Sequence, residues 1–93
     1  MALTQPLLFP LGQVVATRNA YDALTALDIR NAISRHVSGD WGEIDEADRK
    51  ENEFSLEHGC RLLSAYDSES GIRFWIITEA DRNSTTVLLP EDY

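Results

Sequence analysis

Ninety-three residues amount to about two thirds of a usual domain, which leaves room for one compact unit over 1–93 and rules out two independent cores. Hydrophobic residues make up 43% and charged residues 26%, with Gly and Pro only 8 of 93, excluding a collagenous, low-complexity or wholly disordered chain. Sixteen acids against eight bases give a net charge of −8, which repels phosphate backbones and argues against direct nucleic-acid binding.

Past Pro10 and Gly12, the short β-branched run Gln13-Val14-Val15-Ala16 predicts an edge strand. Thr17 then offers an N-cap, and Tyr21, Leu24 and Leu27, spaced by three, predict a short amphipathic helix over about 18–26. Asp28 is placed to cap a second helix, which carries Ile29, Ile33 and Val37 along one stripe and ends at Gly39. Asp45 and Asp48 resemble a capping box with a shorter acid, opening a third helix of thirteen residues that stops at Gly59. Only Ala47, Phe54 and Leu56 could pack from this helix, so it is expected on the surface.

From Cys60 the hydrophobic period changes to two. Cys60 to Tyr66, the turn 67–71 and Ile72 to Thr78 read as a hairpin; Ser84 to Leu89 adds a third strand that Pro90 terminates. Helices before strands predict an α+β fold: two short N-terminal helices and an acidic third helix packed with a C-terminal three-stranded antiparallel meander. Phe74 and Ile76 should share the face that packs on Leu24, Ile29 or Ile33, with Arg73 and Trp75 on the other.

Gly39-Asp40-Trp41-Gly42, Arg61-Leu62-Leu63-Ser64-Ala65-Tyr66 and Trp75 through Arg82 carry a resemblance. From about Phe9 to Tyr93 the chain resembles short uncharacterised bacterial proteins called plasmid-related or hypothetical, some labelled as restriction-enzyme modification subunits. That label cannot apply literally, since the chain holds neither a methyltransferase domain nor a glycine-rich cofactor loop. The resemblance implies a bacterial cytosol and an association with mobile elements, and no established reaction. A lone cysteine, Cys60, excludes an internal disulfide and fits a cytoplasmic protein; Cys60 itself reads as a small buried residue. The start of the chain lacks a basic n-region, and Leu7-Leu8-Phe9 is too short for a signal peptide or membrane span.

Several residues have the chemistry of a site. His36 precedes Asp40 by four, the spacing of a general base and its orienter were the helix to reach that far; the structural reading is a His on the last carbonyls of its helix. Glu79, Asp81, Asp40 and His36 have the donor chemistry to gather around a divalent ion, but none sits at a characteristic ligand spacing, and no metal or cofactor is expected. Arg82 reads as the ion-pair partner of Asp81. Ser64, Ser84, Thr85 and Thr86 have no His nearby in sequence to activate them. Trp41 is either an exposed anchor or a core aromatic with its indole N–H on a carbonyl.

The acidic middle is the sharpest feature. From Asp40 to Glu57 eight carboxylates face only Arg49 and Lys50. Asp40, Trp41, Glu43, Asp45, Asp48, Glu51 and Glu53 form the expected binding set, directed at another protein with a basic surface. The expected function is a non-enzymatic protein-binding module, in its most concrete form an acidic inhibitor of a DNA-processing or defence complex. The alternatives are a regulatory partner in a toxin–antitoxin or plasmid-maintenance system, or a small hydrolase with a shallow site at His36, Asp40, Glu79, Asp81 and Arg82.

Overall fold

In the computed structural model, which describes residues 7–93, the elements in chain order are β1 (Gln13–Ala16), α1 (Arg18–Ala23), α2 (Ala26–Val37), α3 (Glu46–His58), β2 (Leu62–Asp67), β3 (Arg73–Thr78) and β4 (Ser84–Leu88). A 3-10 turn, Pro90–Asp92, follows β4. The expectations for Met1 to Pro6 lie outside the described residues. Helices precede a mostly antiparallel sheet, so the fold is α+β as expected.

The sheet has four strands in the order β1-β4-β3-β2. β2, β3 and β4 form the expected antiparallel meander, with Ser64 opposite Ile76 and Ile76 opposite Val87. β1 extends it at the β4 edge and runs parallel to β4, Gln13 facing Ser84 and Ala16 facing Val87. Alternation puts Tyr66, Phe74, Ile76 and Val87 on one face, where they are fully buried beneath Ala20, Leu24 and Ala32. Ile29 and Ile33 complete this cluster, so the expected packing of the central strand on the first two helices is present. A second cluster joins Phe9, Val37, Trp41 and Leu62 at one end of the same layer.

The helix boundaries follow from their caps. Thr17 Oγ1 accepts the Ala20 N–H at 3.1 Å and starts α1, which ends at Ala23 because Leu24 is extended. The second cap is Thr25 rather than Asp28. Thr25 Oγ1 accepts the Asp28 N–H at 3.0 Å, while the Asp28 carboxylate accepts the Thr25 N–H at 3.1 Å, a reciprocal box that starts the helix three residues early. Those bonds hold the Asp28 carboxyl below its ordinary range, the Thr25 N–H foremost. α3 runs between the expected signals: Asp45 accepts the Asp48 N–H at 2.8 Å, and Gly59 takes the left-handed conformation, φ 70°.

Candidate functional site

α3 lies along the outer side of β2 and touches the fold through a narrow, polar strip. Only Asn52 and Ser55 are buried in it, with Leu56 half-buried against the Trp41 cluster; Phe54 is exposed and stacks on His58 at 4.0 Å. The rest of the helix faces solvent, as the shortage of apolar positions predicts.

The structure sorts the expected acidic set into engaged and free groups. Asp40 forms a two-point ion pair with Arg35, at 2.7 and 3.2 Å, and accepts the Gly42 N–H; Arg35 is the main cause that holds its carboxyl low. Asp45 is consumed as the helix cap. Glu46 is clasped by Arg49 at 2.8 Å, and Glu53 accepts from the Trp41 indole at 3.4 Å. Among the described residues, Glu43, Asp48, Glu51 and Glu57 are exposed and enter no ion pair.

Trp41 is no exposed anchor. It is 3% exposed, stacks on Phe9 at 6.2 Å and meets His36 edge-on at 5.7 Å, and its N–H turns to a carboxylate instead of a carbonyl. Cys60, expected inside, is exposed just beyond the helix end.

Beside the free acids lies a cleft of about 280 Å³ between α3 and β2, lined by Asp48, Glu51, Asn52, Ser55, Cys60, Arg61 and Leu63. Asp48 and Glu51, three residues apart, lie on the same side of the helix. Arg61, on the β2 side, is drawn away by Glu79 at 3.6 Å and by the Tyr93 hydroxyl at 3.0 Å. Ser55 Oγ is buried and has no hydrogen-bond partner.

The hydrolase arrangement takes a different form from the one its spacing suggested. His36 does not face Asp40, nor does it bond the last carbonyls of α2. It points inward, fully buried, with Nδ1 2.5 Å from Ser64 Oγ and Nε2 2.9 Å from Thr78 Oγ1. Thr78 Oγ1 lies 2.8 Å from Thr85 Oγ1, and Thr85 donates to the Leu11 carbonyl at 2.7 Å. The direction of every proton follows. Thr85 spends its hydrogen on Leu11, so Thr78 donates to Thr85 and accepts from Nε2–H, which leaves Nδ1 bare to accept the Ser64 hydroxyl. Burial, with the nearby Arg82 charge second, pushes the His36 pKa down to about 3, so the imidazole stays neutral.

Ser64 therefore does have a histidine beside it, one that sequence spacing hid. Ser64 and His36 are each 0% exposed, and the second ring nitrogen bonds a hydroxyl where an orienting carboxylate would sit. The arrangement is a buried polar chain that ties α2 to three strands and to Leu11.

Of the remaining members of that expected site, Glu79 pairs with Arg61, and Asp81 and Arg82 serve the turn between β3 and β4. Asp81 accepts from the Asn83 N–H at 2.9 Å, not from Arg82. Arg82, in a left-handed conformation at φ 62°, donates to the carbonyls of Cys60 at 2.6 Å and Ser55 at 3.1 Å, placing a cation on the C-terminal end of α3. Among the described residues no three His, Cys, Asp or Glu side chains converge on a metal-sized space, and no helix is long and apolar enough to cross a membrane.

Comparison with protein families, curated proteins and solved structures finds no match, and the mobile-element association gains no support from it.

Proposed function

We propose that the chain works by binding a protein with a basic surface, through the flank of α3. One observation carries this reading: among the described residues, Glu43, Asp48, Glu51 and Glu57 stand in solvent without ion pairs, on and beside a helix whose buried contact with the fold is the narrow strip of Asn52, Ser55 and Leu56. Uncompensated like charges cost a free domain some stability through self-repulsion, a cost that an oppositely charged partner removes. The narrower version, a row of carboxylates imitating duplex phosphates on a DNA-processing or defence enzyme, has less support because Arg49 and Lys50 interrupt the row.

The test begins with capture of partners from a cell lysate, followed by equilibrium binding of the purified partner. Affinity should fall steeply with salt, because the range of screened attraction shrinks from about 10 Å at 0.1 M to about 3 Å at 1 M. Replacing Asp48, Glu51 and Glu57 together by Lys should abolish association with the far-UV spectrum unchanged, since exposed helix positions tolerate Lys. Equal affinity of parent and triple variant at low salt overturns the proposal.

A further inference from the structure

The cleft between α3 and β2 differs from two larger concavities, one of about 470 Å³ whose lining of Tyr21, Leu24, Ala26, Ile29 and Arg30 holds no carboxylate, and one beside α2. The groove of about 740 Å³ beside α2 has three of its four charged groups engaged, Asp28 by Thr25 and the Glu69 N–H, Arg35 by Asp40, and Asp67 by Arg73 at 2.6 Å, which leaves a single unpaired carboxylate, Glu69, among the described residues. In the α3–β2 cleft, Asp48 and Glu51 are both unpaired. A volume of about 280 Å³ falls just under the roughly 300–1,000 Å³ of pockets that take a drug-sized ligand, so its natural guest is a single side chain.

We infer that this cleft seats one arginine or lysine side chain of the basic partner, its aliphatic stem on Leu63 and its charged head between Asp48 and Glu51. The inference rests on the basic-partner reading above. Three features of the lining select that guest. Two carboxylates one helical turn apart present several acceptors with no cation paired to them among the described residues. Leu63, half-buried, offers apolar surface to methylene groups, as long basic side chains require. Ser55 is 1% exposed, and its hydroxyl lacks a hydrogen-bond partner, so the inner wall holds unused polar capacity. An anionic guest would meet Asp48 and Glu51 directly, and the one cation of the lining, Arg61, is already held by Glu79 and Tyr93.

The probe is an acetylated hexa-arginine amide, titrated into isotopically labelled chain at low salt and followed by amide chemical shifts. Saturating shifts are expected at Ser55, Cys60, Arg61 and Leu63. Asp48→Asn with Glu51→Gln should weaken the peptide about tenfold, the sum of two modest ion pairs. Glu69→Gln with Glu91→Gln, an identical change in net charge on residues elsewhere on the surface, should weaken it less than about threefold. Alkylating Cys60, the only cysteine, fills the cleft without altering the acids and should also weaken binding. If both paired variants weaken binding equally, or if the alkylated chain binds as the parent does, the cleft is not the seat and the acidic flank acts only as a diffuse field. If the parent chain does not bind the peptide at all, the basic-partner reading itself falls.

Discussion

The side-chain amide of Asn52 closes both outward hydrogen-bonding groups of Leu63: Nδ2 donates to the Leu63 carbonyl at 2.7 Å, and Oδ1 accepts the Leu63 N–H at 3.1 Å. β2 is an edge strand, and one α3 residue thus stands in for a missing neighbour. Two residues on, Ala65 is closed in the same way by backbone, bonding the Glu43 N–H at 2.7 Å and the Trp41 carbonyl at 3.1 Å. This edge positions the cleft, because Asn52 and Leu63 both line it.

Asn52→Ala should cost about 2–4 kcal/mol, since it strips a donor and an acceptor of their partners on a buried side. Asn52→Asp should not rescue it: a carboxylate still accepts the Leu63 N–H but faces the Leu63 carbonyl with no donor. Urea denaturation midpoints of the three proteins measure both effects, and a loss below about 0.5 kcal/mol for the Ala variant would remove Asn52 from this role.

Gly42 is the second support of that edge. Its φ is 75°, and a Cβ there would lie 2.0 Å from the Ala65 carbonyl oxygen and 2.7 Å from the Tyr66 ring. Gly42→Ala should therefore cost at least about 3 kcal/mol, backbone strain plus displacement of the Trp41–Glu43 segment. Gly71 has a similar φ of 88° but open space around it, so Gly71→Ala should cost only about 1–2 kcal/mol. The difference between the two thermal midpoints separates close approach from left-handed strain.

What the sequence made legible was mostly local. The bounds of α3 follow from Asp45 and Gly59, and its exposure from its few apolar positions. The Thr25 cap is masked in the sequence, because Leu27 fits the spacing of Tyr21 and Leu24 and so extends the pattern of the first helix past it. In the structure Leu27 is 58% exposed and belongs to α2. β1 was recognisable as an edge strand, but its parallel pairing with β4 joins residues more than sixty positions apart, and no local pattern encodes that. The same limit hid the site. His36 meets Ser64 across 28 positions, Arg82 reaches Ser55 across 27, and the cleft needs Leu63 from a different element than Asp48 and Glu51. Cys60 is exposed because it falls between the helix-ending glycine and the first buried strand residue, Leu62, where the period of two has not yet begun.

Ile76 is fully buried on the inner face of β3, within the cluster that includes Leu24 and Phe74. Ile76→Ala should cost about 2–4 kcal/mol from lost transfer energy and an unfilled cavity. Trp75, on the opposite face, is half-buried and packs on Tyr93 at 5.8 Å, so Trp75→Phe should cost less than half as much. Equal losses on denaturant titration would mean that the outer face of the sheet carries as much of the core as the inner one.

The polar chain through His36 makes stability depend on pH in a stated direction. Folded, the imidazole is neutral down to about pH 3, because charging it would leave a buried cation facing only Ser64 and Thr78 hydroxyls, with Arg82 nearby. Unfolded, it takes up a proton below about pH 6.5. Between those values the unfolded chain binds one more proton than the folded one, so stability falls as the pH falls, approaching about 1.4 kcal/mol per unit. The carboxylates held low by their partners, Asp28, Asp40, Asp67 and Asp92, also favour folding at neutral pH, and their contribution fades as the pH drops through the carboxylate range. The window from about pH 7.5 to 5.0 therefore separates His36 from the carboxylates, and across it the parent should lose about 2 kcal/mol by urea denaturation, a loss that the His36 variant assigns to this residue rather than to His58. His36→Asn keeps a donor and an acceptor but cannot take up a proton in this range; it should be less stable at pH 7.5 and lose less than about 0.5 kcal/mol over the same window. A parent curve as flat as the variant's would mean that His36 is charged inside the fold, with Nδ1–H donating to Ser64 while the order from Nε2 through Thr78 and Thr85 to Leu11 stays as it is.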